Sequence, residues 1–166
     1  MTLDLGIRDF AYASDLFGVT LPANRFFTPL PCFWDVLDTV VPGEVQLVDA
    51  GCGKGDLLQE ASQVGRSLIG IDVALRDGQD PRVLQKNAIR FGWNERMWPM
   101  MCRPSHDGWA YLTMQAARRC GACVLYVGLP KNYKVDLGSA RSTCYGVVGE
   151  EGERLYLLRP YRSARK

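Results

Sequence analysis

Apolar residues fall into two patterns along this chain. Short apolar-rich runs without regular polar alternation are typical of strands buried on both faces of a parallel sheet. Such runs predict strands at 44–48, 67–73, 82–85, 96–102 and 122–129. Apolar residues at helical spacing predict helices at 33–41, 56–64 and 109–120. Strands and helices therefore alternate through the middle of the chain, as they do in α/β proteins.

The C-terminal part of the chain predicts an antiparallel pair of strands. Residues 141–148 and 155–158 are strand-like, and the charged segment between them contains Gly149 and Gly152, so the two runs should form a hairpin. Residues 131–134 follow the fifth predicted strand and would either line a binding pocket or, as their composition favours, form a solvated loop. The whole pattern predicts a doubly wound, mostly parallel α/β sheet with a C-terminal antiparallel hairpin.

Length and composition are those of one globular domain. The chain has 166 residues, 47% of them hydrophobic and 23% charged, which is enough for a single core. We expect an N-terminal extension at 1–30 with a short helix at 4–16, a core at 31–129, and a hairpin with a tail at 130–166. No apolar run reaches the roughly 18 residues that a membrane span needs. No signal-peptide pattern is present, so we expect a cytoplasmic protein.

Charge and cysteine content give no support for a nucleic-acid, membrane or metal partner. A net charge of +2 is too small to argue for nucleic acid or an anionic membrane as a partner. Most of the six cysteines lie in apolar segments, where we expect buried free thiols rather than disulfides. Cys120 and Cys123 have the spacing of half a zinc site, but a second pair is missing and His106 is the only histidine. We therefore predict no metal site.

The segment 48–56, Val-Asp-Ala-Gly-Cys-Gly-Lys-Gly-Asp, carries the main functional signal. It places an acid and three alternate glycines between the first predicted strand and the following helix. Glycine permits positive φ and leaves bare backbone for a ligand, which the amides at the helix start then face. A nicotinamide-dinucleotide loop would be Gly-x-Gly-x-x-Gly, whereas here Gly55 follows Gly53 by only two residues.

This segment resembles the first motif of the class I S-adenosylmethionine-dependent methyltransferases, acid-x-Gly-x-Gly-x-Gly. The residues that match are Asp49, Gly51, Gly53 and Gly55. The resemblance covers residues 33–129 and is strongest at 48–73. It implies a Rossmann-like fold and S-adenosyl-L-methionine as the cofactor, bound by this loop with Cys52 included.

Two later segments fit the same family. By this resemblance, Asp72 at the end of the second strand would accept hydrogen bonds from both ribose hydroxyls, and Val73 would pack on the adenine face. Asn87 and Ala88 fall where the family often has an acid that accepts from the adenine amino group. Asparagine is a departure from that pattern, although its carbonyl oxygen can accept the same bond.

The segment after the fourth strand, residues 102–109, holds the candidate catalytic residues, because substrate-facing residues of this family usually follow that strand. It lacks the Asn/Asp-Pro-Pro-Tyr/Phe motif of amino-group methylation. His106 would act as a general base near neutral pH or have a structural role only. Arg103 would bind an anionic acceptor or the methionine carboxylate, or pair with a nearby acid. Trp109 and the other tryptophans are expected in the core rather than in a substrate cage.

Several functions remain open from the sequence. The first is methyl transfer to an unidentified acceptor, which would be a small molecule, a protein or RNA. The second is a non-catalytic subunit or sensor that binds S-adenosylmethionine or its demethylated product without turnover. A nicotinamide-dependent oxidoreductase is a third. The oligomeric state cannot be inferred from the sequence.

Overall fold

The structure, a computed structural model, describes residues 27–74 and 77–162. The strands are β1 (Gln46–Ala50), β2 (Ile69–Asp72), β3 (Leu84–Gln85), β4 (Met97–Cys102), β5 (Val124–Gly128), β6 (Thr143–Val147) and β7 (Arg154–Leu158). The helices are α1 (Cys32–Val40), α2 (Asp56–Gln63), α3 (Trp109–Arg119) and α4 (Pro130–Leu137), with a 3₁₀ helix at Ala88–Arg90. The helix expected at 4–16 lies outside the described residues.

All seven strands form one sheet in the order β3-β2-β1-β4-β5-β7-β6. The first five strands of that order run parallel, and β7 and β6 extend the sheet as an antiparallel pair. The predicted fold class, with its C-terminal hairpin, is therefore confirmed. The order reverses between β1 and β4, and the crevice outside the carboxyl ends of such strands is where open α/β sheets bind ligands.

The core lies on the central strands, which are covered on both faces. Every residue of β5 is buried, as are Val48 of β1 and Met100 of β4. Helix α1 buries Phe33 and Leu37, and α2 buries its own apolar stripe against the sheet. The continuous apolar runs of the sequence therefore correspond to strands without a solvent-facing side.

Helix α3 forms where it was predicted but buries a different face. The spacing of its apolar residues puts Trp109, Leu112, Ala116 and Cys120 on one face, which this pattern predicts to be the packed face. The structure instead buries Ala110, Thr113, Met114 and Ala117, while Leu112 is 49% exposed. The packed face combines small residues with one methionine, because α3 is held between β4, α4 and the 3₁₀ helix and close packing favours short side chains there.

The solvated loop expected at 131–134 was wrong, because these residues belong to helix α4. Pro130 occupies its first position and Gly138 follows it with φ +62°, which are ordinary start and stop residues of a helix. The helix buries Asn132, Asp136 and Leu137. Two of these three side chains are polar, so the buried face shows no apolar periodicity in the sequence.

The expectation that most cysteines are buried was also wrong. All six are free thiols, and Cys123 alone is fully buried. Cys32 lies in the first turn of α1, Cys120 follows the end of α3, and Cys144 lies on the edge strand β6, so all three are exposed. These cysteines are exposed because they lie near helix ends or on a sheet edge, although the neighbouring sequence is apolar.

Candidate ligand site at the carboxyl edge of the sheet

The glycine loop, residues 51–55, joins β1 to α2 at the point where the strand order reverses. Its three glycines have φ angles of +73°, +60° and +89°, a left-handed conformation that other residues rarely adopt. The Gly51 and Cys52 amides donate to the Ile71 carbonyl at 2.9 and 3.1 Å. The loop is therefore tied to the end of β2 before it turns into the helix.

The three glycines differ in what surrounds them. A Cβ on Gly51 would stand 3.0 Å from two ring carbons of Trp109, and one on Gly55 would stand 2.8 Å from the Cβ of Asp80. A Cβ on Gly53 would meet nothing within 4 Å. Packing thus requires glycine at the first and third of these positions, whereas Gly53 presents its backbone to open space.

Cys52 contributes to the loop through its backbone. Its sulfur packs under the loop, where a Cβ on Gly70 would come within 2.8 Å of it. Burial raises the pKa of the Cys52 thiol, and the nearby charges of Asp49 and Asp72 add to that effect. The side chain is therefore a neutral packing group, and only the main chain of Cys52 borders the candidate site.

Two acids lie at the ends of neighbouring strands beside this loop. Asp49 is 4% exposed and Asp72 is 8% exposed. Asp72 accepts from the Gly53 amide through Oδ2 and from the Ala74 amide through Oδ1, each at 2.9 Å. Within the described residues neither acid makes an ion pair. Burial, followed by the charge of Asp72, raises the pKa of Asp49 to about 8.

This acid pair fits a ligand with positive charge and hydroxyl groups. Buried carboxylates without a cationic partner are costly, so a cation placed beside Asp49 would offset part of that cost. A carboxylate has about four lone-pair sites, and Asp72 uses two of them for backbone amides. Two more remain for a vicinal diol, as the ribose role predicted for Asp72 requires.

The residues predicted to border the adenine have mixed surroundings. Val73 follows β2 and is 57% exposed, so its apolar surface is available at the sheet edge. Asn87 Oδ1 accepts from the Ile89 amide at 2.9 Å and thereby caps the 3₁₀ helix. Ala88 is buried, and its carbonyl accepts from Trp93 Nε1 at 2.7 Å. The adenine contacts of Asn87 and Ala88 stay a prediction.

Arg103 begins the β4–α3 loop, residues 103–108, and has an unusual backbone. Its φ is +48°, which makes it the one non-glycine residue with positive φ in the part of the chain that the structure describes. Its amide donates to the Val127 carbonyl at 2.7 Å. Burial lowers the pKa of the guanidinium, while the charges of Glu153 and Glu151 oppose that shift. Such strained residues cluster at ligand sites.

His106 lies in the same loop, as predicted, and belongs to a buried polar network. Its Nδ1 is 2.6 Å from Asp136 Oδ1, and the two side chains are 5% and 2% exposed. The hydroxyl of the fully buried Tyr126 donates to Asp136 Oδ2 at 2.6 Å. Burial, and then the charge of Asp136, raise the pKa of Tyr126. The network connects the loop to β5 and α4.

Trp109 links the two loops. It is the first residue of α3, its Nε1 donates to Ser105 Oγ at 2.8 Å, and its ring lies against Gly51. The expectation of a core position fits only in part, because Trp93 and Trp98 are buried whereas Trp109 is partly exposed. The predicted cofactor-binding and catalytic segments are therefore adjacent at one edge of the sheet.

Within residues 27–74 and 77–162, no group of three or more His, Cys, Asp or Glu side chains is arranged to hold a metal ion. The same residues include no helix that is both long and apolar enough to cross a membrane.

Solved structures with the same architecture are methyltransferases. A putative type 11 methyltransferase from Sulfolobus solfataricus is similar over 80% of this chain and 95% of its own, with a TM-score of 0.54 and 14% identity. A TehB-like SAM-dependent methyltransferase from Corynebacterium glutamicum is similar over 76% and 86% respectively, with a TM-score of 0.50 and 11% identity. This chain has the Rossmann-like methyltransferase fold.

One similarity to a solved structure extends over nearly the whole chain. A structure described as "Conversion of a Disulfide Bond into a Thioacetal Group during Echinomycin Biosynthesis" is similar over 93% of both chains, with a TM-score of 0.54 and 15% identity. No protein-family profile matches the sequence, and no curated protein does either. The fold that the glycine motif implied is therefore confirmed by structure rather than by sequence similarity.

Two site features of this methyltransferase fold escaped the sequence-based interpretation. Asp136 was missed because α4 was taken for a loop, although Pro130 and Gly138 mark the ends of a helix. The contact between Trp109 and Gly51 was missed because it joins residues far apart in the chain. Pro130 and Gly138 would have indicated the helix that carries Asp136. Nothing in the sequence indicates the contact between Trp109 and Gly51.

Proposed function

We propose that this protein is an S-adenosylmethionine-dependent methyltransferase. The observation that carries the proposal is the buried pair Asp49 and Asp72 beside the open backbone of Gly53. S-adenosylmethionine has a sulfonium, an ammonium group and a ribose diol. It would therefore supply both a positive charge and hydroxyl donors to these two acids. Val73, more than half exposed, offers an apolar surface for the adenine.

The residues divide the binding task according to their chemistry. Asp72 would accept from the ribose hydroxyls through its two remaining lone-pair sites. Asp49 would ionise when a positive charge lies beside it, because an opposite charge favours the ionised form of an acid. The backbone of Gly53 would let the ligand approach without a side chain in the way. When bound, S-adenosylmethionine supplies an electrophilic methyl group.

The acceptor would lie beside the β4–α3 loop. This loop contains both Arg103 and His106, and Trp109, the residue directly after it, contacts Gly51 of the glycine loop. Methyl transfer depends mainly on how the two reactants are positioned, so a rigid loop beside the cofactor suits this role. The bond from the Arg103 amide to the Val127 carbonyl and the buried contact of His106 with Asp136 would hold the loop in place, and the left-handed φ of Arg103 persists only where such contacts fix the backbone. The acceptor is a small molecule, a protein or RNA.

The similarity to solved methyltransferases supports catalysis over the alternative of a subunit or sensor that only binds the cofactor. The structures named above are a putative type 11 methyltransferase and a SAM-dependent methyltransferase. Both alternatives require the same cofactor site, so cofactor binding alone does not distinguish them. Transfer of a labelled methyl group to an acceptor distinguishes catalysis from binding without turnover.

Calorimetric titration tests the cofactor first. We expect S-adenosylmethionine and S-adenosylhomocysteine to bind and NAD to show no heat of binding. Asp72→Asn should weaken binding by about tenfold or more, which corresponds to roughly 1.4 kcal/mol. The matched control is Asp77→Asn, an exposed acid five residues later, which should bind as the wild type does. Binding of NAD in place of S-adenosylmethionine would contradict the proposal.

Methyl transfer is then measured with S-adenosylmethionine carrying a tritiated methyl group and fractionated cell extract. We expect label in one chemical class of product, and none with Asp72→Asn at the same cofactor concentration. Tight cofactor binding without label in any fraction would instead favour the non-catalytic alternative.

A further inference from the structure

We infer that His106, Asp136 and Tyr126, here called the buried triad, form a proton-accepting device that directs this protein towards hydroxyl acceptors. The inference rests on the proposed function. His106 would take the proton of the acceptor hydroxyl at Nε2. Asp136 and Tyr126 would be positioning residues that fix which nitrogen of the ring is available.

The geometry of the triad fixes the chemistry of the imidazole. Asp136 Oδ1 lies 2.6 Å from His106 Nδ1, and Asp136 Oδ2 accepts from the Tyr126 hydroxyl at 2.6 Å. Because a carboxylate oxygen accepts hydrogen bonds, we assign the hydrogen of the first contact to Nδ1. In the neutral ring, Nε2 then has the lone pair and is the only position left to accept a proton.

Asp136 can balance a positive charge that forms on this ring during the reaction. Asp136 is 2% exposed, and its one ion-pair partner within the described residues is His106. A buried carboxylate without an arginine or lysine is stabilised when the adjacent imidazole becomes an imidazolium, as in other acid–histidine pairs that serve catalysis. Asp136 would therefore both orient the ring and offset the charge that forms on it.

Tyr126 is a hydrogen-bond donor to Asp136. Burial and the charge of Asp136 raise the pKa of the Tyr126 hydroxyl, so that hydroxyl stays protonated and donates. The ring is fully buried, packs edge-on against Tyr133 with centroids 5.3 Å apart, and lies over Gly128, where a Cβ would come within 2.7 Å of it. The tyrosine therefore has little freedom to rotate away from Asp136.

The triad lies where an acceptor would need it. His106 is between Arg103, which follows the end of β4, and Trp109, whose ring contacts Gly51 in the glycine loop. Asp136 belongs to α4, which follows β5, the parallel neighbour of β4. The base thus lies in the loop after β4, beside the proposed cofactor site, and its orienting residue lies in the last turn of the helix that follows β5.

A base of this kind indicates the class of acceptor. A carboxylate or a neutral amine already has a nucleophilic lone pair, whereas a hydroxyl is a weak nucleophile unless a base removes its proton. The hydroxyl proton would move to Nε2 as an oxygen lone pair forms the O–CH₃ bond, and the electrons of the broken C–S bond would stay on sulfur. The product class is a methyl ether.

The single histidine of this chain allows a direct test by ¹⁵N NMR of the imidazole ring. We expect the free protein, near neutral pH and with the ring uncharged, to carry its hydrogen on Nδ1. In Asp136→Asn, the Tyr126 hydroxyl would still donate to the amide oxygen, so the amide NH₂ would face Nδ1 and move the ring hydrogen to Nε2. The control Asp107→Asn, an exposed acid beside His106, should keep the wild-type tautomer.

Transfer assays give the second measurement. Asp136→Asn should bind S-adenosylmethionine as the wild type does but lower methyl transfer by roughly 10²–10⁴-fold, the range typical of a lost general base. Tyr126→Phe should lower transfer less, because His106 would keep its bond to Asp136. The transferred label should resist mild alkali, which hydrolyses methyl esters, and should be released by hydriodic acid as an ether methyl is.

The outcomes separate this inference from the proposed function. Wild-type protein with its hydrogen on Nε2, an unchanged tautomer in Asp136→Asn, or a labelled ester or N-methyl product would overturn the triad while cofactor binding and transfer still stood. Absence of cofactor binding, or of label in every fraction, would overturn the proposed function and the inference with it.

Discussion

The indole ring of Trp109 packs against the backbone of Gly51, with two ring carbons 3.0 Å from the position a Cβ would occupy. Gly51 lies in the loop after β1, and Trp109 begins α3 at the end of the loop after β4. β1 and β4 are the strands on either side of the reversal in strand order. Contact between these loops makes the proposed cofactor and acceptor segments one unit. Five predictions follow from this arrangement and the residues around it.

Gly51→Ala should destabilise the fold more than Gly53→Ala does. Both positions have left-handed φ angles, which cost a residue with a Cβ roughly 1–2 kcal/mol. At Gly51 the added methyl would also press on Trp109, whereas at Gly53 it would meet nothing within 4 Å. Urea unfolding of the two variants measures the difference, and equal losses would contradict the contact. Trp109→Leu combined with Gly51→Ala should recover part of the loss.

Gly53→Ala should instead weaken the binding of S-adenosylmethionine. Its methyl would project into the open space where the ligand approaches, so we expect affinity to fall by about tenfold or more, roughly 1.4 kcal/mol. Gly65→Ala is the matched control, since Gly65 has φ +73°, open surroundings and a position beyond the other end of α2. Calorimetry should show wild-type affinity for the control. Equal weakening in both variants would point to a general loss of structure.

Stability should fall as pH rises from about 4 to about 8 because of Asp49. Its folded pKa is raised to about 8, above the value near 3.9 in an unfolded chain. The folded state therefore binds more protons across this window, and the contribution is complete below it and lost as pH approaches 8. The slope is at most about 1.4 kcal/mol per pH unit. Asp49→Asn should remove this component in urea unfolding at several pH values.

The same acid predicts proton release on cofactor binding. If a cationic ligand favours ionised Asp49, then binding near pH 7 should expel a proton, and the heat of binding should depend on the ionisation enthalpy of the buffer. Asp49→Asn separates this effect from the ligand's own amino group. A buffer dependence that is identical in wild type and variant would show that Asp49 does not take part.

Cys52→Ala should leave the affinity for S-adenosylmethionine within about twofold, because the sulfur behaves as a small buried hydrophobic group rather than a ligand contact. The sulfur packs under the glycine loop against Gly70, so a modest loss of stability is expected instead. Calorimetry and urea unfolding measure the two effects separately. A large loss of affinity at unchanged stability would place the side chain in the site.

The sequence alone predicts the cofactor side of the candidate site because its features are local. The glycine loop needs its residue types for backbone conformation, and Asp72 ends a short buried strand, so spacing is enough to place both. The central strands β4 and β5 are equally predictable, since each is a continuous apolar run. These features depend on neighbours within a few residues, and the structure places them as expected.

The acceptor side depends on contacts between distant segments. Asp136 is 30 residues from His106, and it lies on a helix whose buried face is largely polar. Hydrophobic periodicity therefore does not reveal the helix or the network. The inner face of α3 was mistaken for a related reason: packing against α4 and the 3₁₀ helix selects small side chains, which carry a weak apolar signal.

The position of β7 has a consequence for the synthesis of this protein. β7 comes after β6 in the chain, yet it lies between β5 and β6 and pairs with both. On the ribosome, β5 therefore keeps an unpaired edge until Leu158 has been made, and β6 has no partner in the sheet before then. Exposed strand edges recruit other chains. The growing polypeptide would need protection by a chaperone over this interval, and a chain that stops before β7 would aggregate rather than fold into a smaller domain.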